Sequence, residues 1–170
     1  SGNNVAAGFT ISAISGNTTE AGGQATFTVK LNKQPTANVT IVIESSDTTE
    51  GTVSPAALTF TSANWNTNQI VTVSGVDDSL ADGSIAYTIV TAAAVSTDTN
   101  YSGLNPGNVS VINTDNDSSG FTISAISGNT SEAGVTATFT FKLNTQPTAD
   151  VTIGITSSDT TEGTVSPATL

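Results

Sequence analysis

The chain has 170 residues, 36% of them hydrophobic, with no Cys, Met or His, three Lys as its only cations, and a formal charge of −11. A Ser nucleophile has no His base, a zinc site no His or Cys, and a phosphate no Arg, so catalysis is not expected. The acidic surface argues against nucleic acid, and no stretch approaches the roughly 18 apolar residues that a membrane helix needs. Residues 1–7 read as an N-terminal extension. Short alternating strands then follow, separated by Gly, Asn, Asp and Pro clusters. The pattern predicts strands at 9–14, 24–32, 38–45, 57–61, 69–75, 85–94 and 109–114. The second should face Ala25, Phe27, Val29 and Leu31 inward, and the third Val39, Ile41 and Ile43. Helical periodicity is absent, and seven short strands in this length predict an all-β, immunoglobulin-like Greek-key sandwich. Trp65, alone in a loop, is expected to close one end of it.

Self-comparison shows a repeat. Residues 8–58 recur at 120–170 without a gap, at an offset of 112, and 42 of the 51 aligned pairs are identical. The expected organisation is a complete module over 8–117, a junction at 118–119, and the N-terminal half of a second module over 120–170. That half lacks counterparts of the later strands and should expose apolar strand edges. Neighbouring modules, or another copy completing 120–170 by head-to-tail strand complementation, are the expected partners.

The acidic residues are unevenly placed. Glu20 follows the first predicted strand, Asp47 the third, Asp77, Asp78 and Asp82 the fifth, and Asp115 and Asp117 the last. Alternate strands of an antiparallel sandwich run the same way, so these four loops should emerge at one end. Lys30 and Lys33 flank the next turn, at the other end. Each acidic loop alone reads as an ordinary turn, because Asp and Asn mimic backbone hydrogen bonds. Their joint placement favours a hard divalent cation that relieves the repulsion. Calcium, which accepts six to eight oxygens in irregular geometry, suits it better than magnesium. Glu44 should lie outward and solvated, and Glu50, near the same end, is assigned no role.

These residues resemble the Calx-β domain, a calcium-binding sandwich of sodium–calcium exchangers and of bacterial surface and adhesion proteins. The carriers are the Glu of TTEAGG, the Asp of SSDTTEG, the VDDSLADG stretch leading into the strand with Tyr87, and the terminal VSVINTDND. The resemblance implies calcium ligands at Glu20, Asp47, Asp77, Asp78, Asp82, Asp115 and Asp117, with Asn116 and the carbonyl of Leu80. It departs near Ile85, where the family carries a further acid, which implies one tightly held ion or two weaker ones. The expected function is an extracellular spacer of a bacterial surface or secreted protein, in which Ca2+ stiffens the junction between modules. The alternative is an adhesin module that binds a glycan or protein receptor through its loops.

Overall fold

The computed structural model describes residues 4–170. The chain forms two compact units, one from Ser1–Asp78 with Asp82–Asn116, the other from Ser79–Ala81 with Asp117–Leu170. No helix occurs among the described residues.

The first unit carries nine strands: β1 (Phe9–Ile11), β2 (Thr18–Thr19), β3 (Gln24–Leu31), β4 (Val39–Ser45), β5 (Gly51–Ser54), β6 (Ala57–Phe60), β7 (Gln69–Gly75), β8 (Ile85–Thr91) and β9 (Val109–Thr114). One sheet has the order β1-β3-β7-β5 and the other β2-β9-β8-β4-β6. This division of an all-β chain over two sheets is that of an immunoglobulin-like sandwich. The core is built by alternation. Phe27, Val29 and Leu31 of β3, Val71 and Val73 of β7, Ile41 and Ile43 of β4, and Ile89 of β8 are almost wholly buried, while Thr26, Val42 and Ile70 point out.

Two strands were not foreseen, and both matter for the acidic end. The run expected at 9–14 stops at Ile11, because the Ser12 and Ser15 hydroxyls accept the N–H groups of Thr28 and Thr26, both at 2.9 Å. The chain then crosses to the other sheet, where β2 pairs with β9 in parallel, Thr18 opposite Asn113 and Thr19 opposite Thr114. The second is β5, a four-residue run that pairs antiparallel with β7 from Gly51↔Gly75 to Ser54↔Thr72. The strand expected at 85–94 ends at Thr91.

Trp65 is half-buried against the core and its carbonyl accepts the Leu31 N–H at 2.8 Å, as expected of a closing residue. The same end is tied by Tyr101, which donates to the Lys33 carbonyl at 2.6 Å. Asp98 beside it accepts the Thr36 N–H at 2.8 Å.

The second unit contains β10 (Phe121–Ile123) and β11 (Phe141–Leu143), paired in the register of their counterparts β1 and β3, Phe121 opposite Leu143 as Phe9 is opposite Leu31. Its apolar side chains are largely open: Phe121, Ile123, Ile126 and Val151 are each exposed.

Candidate metal centre

The parallel pairing of β2 with β9 sets up the first group of carboxylates. Both strands run toward the same end, so the residues leaving them, Glu20 and Asp115, emerge side by side although 95 positions separate them. Glu20 N–H donates to the Thr114 carbonyl at 3.1 Å, and the Asn116 N–H returns a bond to Glu20 Oε2 at 3.1 Å. Carboxylate oxygens of Glu20 and Asp115 lie within 4.8 Å. Glu20 is only 2% exposed. Burial pushes its pKa up; the Asn116 N–H opposes this, and the charges of Asp115 and Asp78 add to the rise. Asp115 also holds a loop, since its Oδ2 accepts the Gly83 N–H at 2.7 Å.

The second group forms where β5 and β7 lie side by side. Glu50 precedes β5, and its carbonyl accepts the Val76 N–H at 3.0 Å, which sets it beside the chain that carries Asp77 and Asp78 out of β7. Glu50, Asp78 and Asp82 each offer a carboxylate oxygen within 4.8 Å of the others. Glu50 is 7% exposed, and burial raises its pKa; the Asn113 amide works against that rise, and Asp82, Asp47 and Asp78 reinforce it. The Gly75 N–H at the end of β7 donates to the Gly23 carbonyl at 3.1 Å, so the two groups lie at one end of the sandwich, and the charge of Asp78 adds to the rise at both Glu20 and Glu50.

Asp77 is exposed, and its Oδ1 accepts from Asn116 Nδ2 at 3.4 Å. Asp47 belongs to neither group. Its Oδ1 accepts both the N–H and the hydroxyl of Thr49, at 3.0 and 2.5 Å, and these bonds hold its pKa below the ordinary value. It shapes the turn that presents Glu50, whose N–H donates to the Asp47 carbonyl at 3.3 Å. Leu80 and Asp117 belong to the second unit.

Glu50 is the residue that sequence reasoning passed over. The signal was there: a Gly-Thr-Val-Ser run follows it and Pro55 ends that run, but four residues are too few to stand out as a strand.

Lys30 and Lys33, the lysines of the first unit, lie away from both groups. Lys30 is six residues along β3 from Gln24, at the acidic end, roughly 20 Å at the rise of a strand. Each group brings carboxylates from separate segments together, and these hard oxygen donors fit calcium chemistry.

No family model and no curated protein matches the chain. Among solved structures, WR4, a C. elegans MSP family member, is 13% identical, and the match spans 59% of this chain and 90% of WR4 at a TM-score of 0.41. SSP-19, an MSP-domain protein like family member in Caenorhabditis elegans, is 12% identical over 61% of this chain and 98% of its own, at a TM-score of 0.40.

Proposed function

We propose that the first unit is a calcium-binding structural module of Calx-β type, repeated in an extracellular bacterial surface or secreted protein. The observation that carries this reading is the burial of Glu20 and Glu50, each among further carboxylates, with the first unit's own lysines placed elsewhere. A carboxylate removed from water needs hydrogen bonds or an opposite charge. Here burial and like charges destabilise the ionised form of both residues. A divalent cation reverses the sign of that interaction.

Glu20 and Asp115 would supply oxygens to one ion, and Glu50, Asp78 and Asp82 to another or to a shared one. Asp77 and Asn116 lie close enough to contribute, whereas Asp47 acts by shaping the Glu50 turn. The ion's chemistry is charge neutralisation and cross-linking. Glu20 and Asp115 leave different strands, and the chain passes out of the first unit at Asn116. An ion held there would fasten the end of β9 to β2 and stiffen the exit toward the next repeat, which is what a spacer in a calcium-rich medium requires.

Calcium titration by calorimetry on the 170-residue chain tests this. Extracellular modules bind at about 10⁻⁴ to 10⁻³ M. The expected result is an isotherm in that range, accompanied by a melting temperature that is higher in calcium than in chelator. No heat and no change in melting temperature at about ten times that concentration would sink the proposal.

A further inference from the structure

Behind the two carboxylate groups runs a buried polar chain that ends on Glu50. Asn113, in β9, is 1% exposed, and Thr18, in β2, is fully buried. Asn113 Nδ2 donates to the Val76 carbonyl at 3.1 Å and to Glu50 Oε2 at 3.4 Å; its Oδ1 accepts from the Thr18 hydroxyl at 3.0 Å. The Thr18 oxygen also lies 2.9 Å from the Tyr87 hydroxyl.

The proton directions follow from the partners. A carbonyl can only accept, so the amide nitrogen faces Val76 and the amide oxygen faces Thr18. The single Thr18 hydroxyl hydrogen has pure acceptors in Asn113 Oδ1 at 3.0 Å and the Ile112 carbonyl at 3.4 Å, the nearer being Asn113, so the bond between Thr18 and Tyr87 is donated by Tyr87. Every donor in the series Tyr87, Thr18, Asn113 then points toward Glu50. Such aligned bonds reinforce one another and favour negative charge at their end.

We propose that Asn113 is a positioning residue, which, together with Thr18, couples the Glu20-bearing and Glu50-bearing parts of the calcium site. Resting on the calcium reading above, this adds how its two groups are held in register. The one amide touches the segments that carry each of these carboxylates except Asp82. Thr18 stands two residues before Glu20, Val76 directly before Asp77 and Asp78, Glu50 is contacted itself, and Asp115 lies two residues after Asn113. Space for the chain is built in: a Cβ at Gly75 would strike Asn113 Oδ1 and the Thr19 carbonyl, and one at Gly51 would strike the Tyr87 ring and hydroxyl. An amide in a sandwich interior is costly unless fully bonded, and an apolar side chain would fill the same volume without holding these four segments.

The test uses the 170-residue protein and calcium chloride, with calorimetry and fluorine NMR on protein grown with 3-fluorotyrosine. The sequence has two tyrosines, Tyr87 and Tyr101, and Tyr87→Phe assigns their signals. Calcium is expected to move the Tyr87 resonance along the calorimetric isotherm and to leave Tyr101, at the opposite end, in place. Thr18→Val keeps the shape and loses the hydroxyl; it should weaken calcium binding by about threefold to tenfold and uncouple the Tyr87 signal, whereas Thr18→Ser should stay within about twofold. A packing role predicts the reverse order. Wild-type heat with a stationary Tyr87 signal, or Thr18→Val binding as tightly as wild type, overturns the coupling and leaves the calcium reading standing. No heat from the wild-type protein overturns both. Should Thr18→Val not fold, the fluorine titration of the wild-type protein still decides.

Discussion

Gly51 and Gly75 face each other across β5 and β7, and the space their missing side chains leave is occupied by Tyr87 on one side and by Asn113 and the Thr19 carbonyl on the other. The pair thus makes room for the polar chain behind the carboxylates. A methyl at Gly75 meets backbone, which cannot swing away. Gly75→Ala is therefore expected to cost about 1–3 kcal/mol in denaturant unfolding and to weaken calcium binding as well. An unchanged unfolding midpoint would show that the strands can part without penalty.

Glu50 and Asp47 separate ligand from scaffold. Glu50→Gln removes a charge from the group with Asp78 and Asp82 and should reduce calcium affinity about tenfold or more. Asp47→Asn keeps the Oδ1 acceptor that Thr49 uses and should change affinity much less. Calorimetry on the two variants reads the difference; equal losses would mean that Asp47 itself binds the ion.

The pH dependence of the metal-free protein has a definite sign. Glu20 and Glu50 hold their protons more tightly folded than unfolded, principally because they are buried, so stability falls as pH rises from about 4.5 through their raised folded values. Asp98 works the other way. The Thr36 N–H, followed by that of Asn100, holds its pKa below 3.8, so its contribution is present above that value and is lost as pH falls through the folded one. In chelator the melting temperature should therefore peak in mildly acidic solution. Calcium should remove the decline on the neutral side. A melting temperature in chelator that climbs steadily from about pH 5 to 8 would contradict the assignment.

Calcium at about ten times its dissociation constant stabilises by RT ln 11, about 1.4 kcal/mol, which for a domain of this size raises the melting temperature by roughly 5–10 °C. Glu20→Gln combined with Asp115→Asn should shrink that shift while raising the melting temperature in chelator, because the repulsion goes with the charges. Differential scanning calorimetry with and without EDTA measures both effects. A double variant less stable than wild type in EDTA would mean that these carboxylates stabilise the fold on their own.

Tyr101 gives a control away from the site. It is fully buried, and its hydroxyl donates to the Lys33 carbonyl while accepting the Lys33 N–H at 3.2 Å. Tyr101→Phe leaves both backbone groups short of a partner and is expected to cost about 1–3 kcal/mol in denaturant unfolding, with calcium affinity unchanged. A large loss of affinity would show that the two ends of the sandwich are not independent.

What the sequence determined by itself was the alternation. Val, Ile, Leu and Phe at every second position place β3, β4, β7, β8 and β9 within a few residues of where they lie, because a pleated strand buries one face whatever its neighbours are. The spacing of acids also marked the loops in which Glu20, Asp78, Asp82 and Asp115 sit. Two things were beyond its reach: β2 and β5, of two and four residues, whose existence depends on the partners β9 and β7, and through them the burial of Glu20 and Glu50. The repeat makes the point within one chain. Glu132 and Glu162 occupy the corresponding local sequences, TSEAG for TTEAG and an identical DTTEG, yet both are exposed, because the second unit has no counterparts of β7 and β9 packed beside them. A carboxylate in a turn is specified by its neighbours along the chain; a buried one is made by strands that arrive from elsewhere.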